Sequence, residues 1–508
     1  MAASPTAEST TLWISPAVPP ALRESVVEAG RLLPGPVAIV ELRQAASLRL
    51  KPGDGASFAE WTYAAVAPFP TIRDSITLAE LRDAWQGRGE SPVNLFASPS
   101  TSGAMRDVLG EPAENVKLVP SPDDLMEAAW AARPALAIVP FEDLDPRWKV
   151  LKVDEASPLG KDFDPAGYPL RVGFDLAGGG SQDEAFHRSL EDAWGQPSPI
   201  LNRRADRLTT VVMTGVTALT RATAWQMDRS GATFPSRDIG DWLRQADLTH
   251  VSNEVAFTPD CPDPVPDQTP LLFCSSPRHL ALLEDVGTDV VELTGNHVLD
   301  AGPQALLYSL DLFRQAGWRW FGGGANLAEA VQPVLVEHNG NRIAFLGCNE
   351  AGPVSAWATE DRPGANPCGA DRLQAQVKEL RAEGYLPIVT FQWYEHYMAS
   401  PPASQRDAFE AAAAAGAVAV SGSQAHQPQG FGFEDGAFIH YGLGNLFFDQ
   451  MWSEAVRKEF VDRYVFHDGR LISVELLTAY LEDWSRPRPM TPEERASFLQ
   501  EIFRASGW

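Results

Sequence analysis

The residues best suited to chemistry in this chain stand at the ends of short apolar runs. Val290-Val291-Glu292-Leu293 leads into Thr294-Gly295-Asn296-His297, with Asp300 closing the stretch. The adjacent valines predict a buried strand. The Thr-Gly-Asn-His turn then falls at its carboxyl end, where open α/β sheets collect ligands. An Asn amide oxygen can bind a metal, and a His can act as ligand or acid/base. A turn Asn beside a hydrogen-bonded His fits this stretch equally well. Further strand-like runs end in polar groups: Ser252-Asn253-Glu254, Gln392-Trp393-Tyr394-Glu395-His396, Gln424-Ala425-His426, and Asn445 in Tyr441 to Gln450.

Elements must position these groups. From about residue 11 to 177, strand-like and helix-like segments alternate. Thr11 to Ser15, Val37 to Val40, Tyr63 to Ala67, Val93 to Phe96 and Ala135 to Pro140 read as strands. Ala21 to Ala29 and Ile76 to Trp85 read as helices, so an α/β unit with mainly parallel strands is expected. Gly178 to Ser181 and Pro197-Ser198-Pro199, around a short helix at 183–194, predict a connector over 178–205. Arg203, Arg204 and Arg207 beyond it offer a small basic cluster. A second domain, 206–508, opens on strand Leu208 to Met213. It closes on a hairpin around Asp468-Gly469 and a helix from Pro492 to Ala505.

With 508 residues the chain is too long for one ordinary core. A net charge of −26 disfavours nucleic acid and anionic membrane surfaces as partners. No apolar run reaches the length of a membrane span. The N-terminal stretch reads as a trimmed end or polar tether, compatible with a lipid anchor ahead of residue 1. The four cysteines form two local pairs, Cys261/Cys274 and Cys348/Cys368, each around a Pro- or Gly-rich loop. Disulfide clips are expected, with zinc the rival reading, and hence an extracytoplasmic location, secreted or tethered at the cell surface.

Two resemblances follow from these motifs. Tyr63 to Pro68, Ile76 to Leu81 and Ser98 to Gly103 resemble a type II periplasmic substrate-binding protein of the phosphate/oxyanion kind. That resemblance implies anion binding by Ser100, Thr101 and Ser102 at a helix N-terminus, although plain helix caps would look the same. In the second domain, Gly-Asn-His-x-x-Asp and Gly442-Leu443-Gly444-Asn445-Leu446-Phe447-Phe448-Asp449-Gln450 resemble the CapA family of poly-γ-glutamate capsule proteins. That family lies within the calcineurin-like metallophosphoesterases. It implies a four-layer α/β/β/α sandwich with a polar site, normally holding two metals, at the sheet edges.

The ligand set departs from that pattern. Val216 stands at a metal-bridging Asp position, and Gln392 and Gln424 at ligand His positions, while Glu254, Asn296, His297 and His426 remain. The expectation is therefore no standard dinuclear site, with either no cofactor or one divalent metal on Glu254, Asn296 and His426. Catalysis would fall to His297, Glu254 and His426. Substrate contacts would fall to Arg221, Asn296, Gln392, His396, Gln424 and Asn445. The expected partner is an anionic cell-surface polymer such as poly-γ-glutamate, or a small anionic ligand. The alternatives are a working metallophosphoesterase with an unusual ligand set, and a binding protein without turnover.

Overall fold

In the computed structural model, residues 10–32, 37–53, 58–88, 93–178, 186, 188–189, 191–192 and 199–508 are described. The chain divides into two compact units, Met1–Ala205 and Asp206–Trp508.

The first unit is built on a ten-stranded sheet. Its long central strand, Ala59–Pro68, buries Trp61, Tyr63, Ala65 and Ala67 in the core that helix Pro20–Leu32 also enters. The sheet is mixed rather than mainly parallel. Arg171–Ala177 runs antiparallel to both Leu48–Pro52 and Ala59–Pro68, and Ala59–Pro68 is antiparallel to Ala135–Pro140. A late strand that returns to the middle of a sheet leaves no local periodicity to announce its direction. The helix expected from Ile76 begins at Leu78, because Thr77 caps it. Thr77 Oγ1 accepts from Glu80 N–H and Glu80 accepts from Thr77 N–H, a reciprocal box that fixes the start. The glycine run and helix expected at 178–194 lie largely outside the described residues. Beyond them, Ile200–Leu201 pairs with Ala59–Pro68 and belongs to the first unit's sheet.

The second unit has two large sheets with helices outside them, and a small pair of Gly323–Gly324 with Gly364–Ala365. One runs in the order Arg319–Phe321, Val290–Glu292, Leu248–Asn253, Leu208–Thr214, Lys458–His467, Arg470–Glu482, Arg486–Pro489. The other runs Val334–His338, Asn341–Asn349, Leu386–Gln392, Ala419–Ser423, Ala437–His440, Phe431–Glu434. Alternation along each strand explains the layering. Val212, Val251 and Val291 turn outward with Leu306, Leu310 and Phe313 of helix Pro303–Ala316. Val389, Phe391 and Val420 turn outward with helices Ala370–Ala382 and Ala403–Ala414. The opposite faces meet each other. His250 stacks on Phe345 at 6.5 Å, and Phe438 meets Tyr464 edge-on at 5.9 Å. The result is the α/β/β/α sandwich.

Polar pairs are sealed between these sheets. His440 Nδ1 lies 2.6 Å from Asp462, and His250 Nε2 lies 3.1 Å from Glu292, all four buried. His250 is thus an interior group, not a surface one. The two disulfides, Cys261–Cys274 and Cys348–Cys368, are formed. The hairpin is longer than expected, Lys458–His467 with Arg470–Glu482. Its turn residues Asp468 and Gly469 both have positive φ, as a two-residue type I′ turn needs. The final helix, Pro492–Ala505, carries a capping box of Thr491 and Glu494.

Candidate functional site

Leu208–Thr214, Leu248–Asn253 and Val290–Glu292 are parallel neighbours, as are Leu386–Gln392 and Ala419–Ser423. Their carboxyl ends therefore share an edge within each sheet. Alternation puts Gln392 on the inner face of its strand, two residues beyond Thr390 and out of register with outward Phe391. The two edges meet there. Gln392 Nε2 donates to Glu254 Oε1 at 3.1 Å, to Asn296 Oδ1 at 3.0 Å, and to Gln424 Oε1. Its own oxygen accepts from Ser423 Oγ. Glu254, Gln392 and Gln424 are buried, whereas Asn296 is half-buried. The other Glu254 oxygen, Oε2, is buried without a hydrogen-bond partner.

The turn that delivers Asn296 and His297 depends on Gly295. A Cβ there would stand 2.7 Å from Glu254 Cα, so only glycine lets the two strand ends close up. His297 is then fixed by Asp300, whose carboxylate lies 2.6 Å from Nδ1 and also accepts from Phe273 N–H at 2.9 Å. A carboxylate only accepts, so Nδ1 carries the proton and Nε2 is left to act. Burial lowers the affinity of this imidazole for a second proton. The Asp300 hydrogen bond and the charges of Glu254, Asp300 and Glu395 outweigh it, and His297 titrates above the ordinary histidine range.

His426 has a different setting. Asn445 donates to the carbonyls of His426 and Val456, which fixes its amide and presents Oδ1 to His426 Nδ1 at 2.9 Å. His426 Nε2 is 3.9 Å from Glu395 Oε1. Tyr397 lies over the His426 ring and packs edge-on against exposed Trp452. Burial and the charges of Glu395 and Glu254 push the Tyr397 phenol up to about 12. Gln424 and His426 both hold left-handed backbone, with φ of 77° and 57°. Such strain typically costs about 1–3 kcal/mol per residue and gathers where side chains must be aimed.

Several expected contacts are disposed otherwise. Arg221 is not a free cation. It grips Asp449 through two nitrogens and lies between the Phe273 and Phe448 rings at 5.3 and 5.5 Å. His396 turns to the Ser400 carbonyl at 3.1 Å, and its neighbour Glu395 faces His426 instead. Trp393 is core. Val216 is buried in an apolar cluster with Ala218, Val255, Phe273 and Phe448. In the first unit, Ser98 rather than Ser100 caps helix Pro99–Ala104, while Thr101 and Ser102 are buried. Ser98 Oγ is 3.0 Å from Ser100 Oγ and donates to Thr101 Oγ1. The basic cluster is likewise committed: Arg203 donates to the carbonyls of Pro158 and Gly160, and Arg207 pairs with Asp468. Asp300, Glu395 and Asp449 were missed as site residues. For Asp300 and Asp449 the signal was present in the quoted motifs.

The sequence family described as bacterial capsule synthesis protein PGA_cap matches residues 185–450, more than half of the chain. The chain belongs to this family. The site above falls inside the matched region. Among curated members with related sequences, the capsule biosynthesis protein CapA of Bacillus anthracis is 26% identical over 299 residues, 58% of this chain and 72% of that protein. The PGA biosynthesis protein CapA of Bacillus subtilis (strain 168) is 26% identical over 189 residues, 37% of this chain and 50% of that protein. Among solved structures, an ABC-type phosphate transport receptor from Vibrio cholerae has a TM-score of 0.31 at 13% identity, covering 36% of this chain and 93% of its own. A 5'-nucleotidase precursor from Thermus thermophilus has a TM-score of 0.32 at 15% identity, covering 59% of this chain and 58% of its own.

Proposed function

We propose that this capsule-family protein acts outside the cytoplasm on poly-γ-glutamate or its precursor, through the polar site at the sheet edge and without a two-metal cluster. Family membership supports the polymer, and the two disulfides support the location. The observation that carries the chemistry is the His297–Asp300 pair beside Glu254. Asp300 holds one imidazole nitrogen, leaving Nε2 to hold or move a proton at the amide or carboxylate of a bound chain. Asn445 orients His426 in the same way on the other side of the site.

The donors present do not fit two metals. Gln392 directs amide N–H groups into the space between Glu254, Asn296 and Gln424, and an N–H group has no lone pair to offer a metal. Val216, where the family resemblance implies a metal-bridging carboxylate, sits in an apolar cluster. Among the described residues, no three His, Cys, Asp or Glu side chains group as a metal set.

The test is turnover of γ-linked glutamate oligomers in chelator, followed by chromatography, for wild type and His297→Ala. Cleavage that persists in chelator and disappears in the variant is expected. Metal-dependent phosphodiester hydrolysis, indifferent to His297→Ala, would overturn the reading. Oligomer binding without cleavage, weakened in the variant, would make the protein a carrier of the same polymer.

A further inference from the structure

The hydrogen-bond inventory around Gln392 does not close. One NH2 group has two hydrogens, yet three oxygens lie within its reach: Glu254 Oε1, Asn296 Oδ1 and Gln424 Oε1. Turning the amide over would set its oxygen against those three. It would also take that oxygen away from the Ser423 hydroxyl that donates to it. The orientation is therefore fixed, and at least one of the three oxygens lacks a hydrogen. Glu254 Oε2 adds a fourth acceptor, buried and unpartnered, on a side chain only 2% exposed. Leaving a buried carboxylate oxygen unpaired is costly, and such an atom calls for a donor, whether water or a ligand group.

The missing group must be cationic and rich in donors. Arg221 does not supply it, being neutralised by Asp449. Glu395 at the rim adds a second carboxylate, with its side chain 53% exposed. Exposed Tyr397 and Trp452 beside it offer ring faces to a cation or to the chain carrying one. A metal ion suits the place poorly, because the Gln392 amide presents it N–H groups that have no lone pair to coordinate. A primary ammonium suits it well: three N–H donors on one positive centre match the unfilled oxygens and add to the positive charge that His297 can carry beside Glu254.

We propose that this cluster of oxygens at the sheet edge binds a protonated primary amine. On the poly-γ-glutamate reading, on which this second step rests, that amine is the free α-ammonium at one end of a γ-linked glutamate chain. Interior residues of such a chain carry their nitrogens as amides, so the site recognises an end and not the repeating body. His297 Nε2, next along the same turn from Asn296, serves the adjoining carboxylate.

The test is isothermal titration of the whole, disulfide-intact protein in chelated buffer. Three probes are used: γ-linked tetraglutamate with a free amine, its N-acetylated form, and α-linked tetraglutamate with a free amine. The free-amine γ-oligomer should bind about ten- to a hundredfold more tightly than the acetylated one, the range expected for losing one charge-assisted hydrogen-bonded group. Glu254→Gln should erase that difference. The wild-type comparison decides the matter by itself if the variant does not fold. Equal binding of both γ-oligomers would overturn the amine site while leaving the polymer reading standing. Equal binding of the α- and γ-linked free amines, with the acetylated form weak, would support the amine site and remove the γ-glutamate assignment. No binding of any probe at millimolar concentration would overturn both. Mg2+ or Mn2+ that competes with the free-amine probe, and loses its effect in Glu254→Gln, would assign the oxygen to a metal and overturn the proposal.

Discussion

Gln392→Leu is the sharpest perturbation of this site, because it preserves most of the side-chain volume and removes every polar contact. Gln392 is 1% exposed, so no water replaces what is lost. Its two hydrogens satisfy two of three facing oxygens, one of them a carboxylate, and its oxygen receives the Ser423 hydroxyl. A hydrogen bond to a charged group contributes about 1.5–3 kcal/mol and a neutral one about 0.5–1.5 kcal/mol. Losing one of the first kind and two of the second gives about 2.5–6 kcal/mol, which includes leaving Glu254 buried with neither oxygen paired. Pairing the change with Glu254→Gln should recover about 1–3 kcal/mol, the usual coupling between contacting polar groups. Urea unfolding followed by tryptophan fluorescence reads the shift in the transition of the second unit. A single variant within about 1 kcal/mol of wild type, or strict additivity in the double variant, would refute the network as drawn.

His297 should titrate above the ordinary histidine range by NMR, and Asp300→Asn should lower it, since the Asp300 hydrogen bond is the largest raising influence. A group whose folded pKa is raised adds stability that is complete below its unfolded pKa. That stability is lost as pH rises through the folded value, so the Asp300→Asn penalty should be larger at pH 5 than at pH 9. Thiol titration of denatured, unreduced protein should find no free thiol, and reduction should cost about 2–4 kcal/mol per bridge for loops of this size. Thr491→Ala should cost about 1 kcal/mol, read as a lowered Tm, through loss of the cap on the final helix.

What could be read from the sequence was local. Gly295, Asn296, His297 and Asp300 lie within six residues, and a strand followed by a sharp turn leaves few other arrangements. The final helix, Pro492–Ala505, was legible for the same reason. Contacts across the fold were not. Gln392 meets Glu254 over a separation of 138 residues and Arg221 meets Asp449 over 228, and no periodicity encodes such pairings. Alignment by motif misplaced His396, because the segment beyond Gln392 leaves regular backbone and no longer alternates. There the chain turns Glu395 toward His426 and His396 away. Ser100 was a reasonable anion contact by type. The helix start is nevertheless set two residues earlier, by Ser98.

The strand that begins the second unit, Leu208–Thr214, pairs along its whole length with Lys458–His467. The sheet therefore cannot seal until about 250 further residues have been made, and its last hairpin must arrive before the middle of the sheet exists. Order of this kind is slow, because chain closure precedes the contacts that reward it. A nascent chain would wait in an open form until synthesis was nearly complete. That delay is a hazard for a protein finished where it is made, and an asset for one that must be threaded through a narrow channel before it folds.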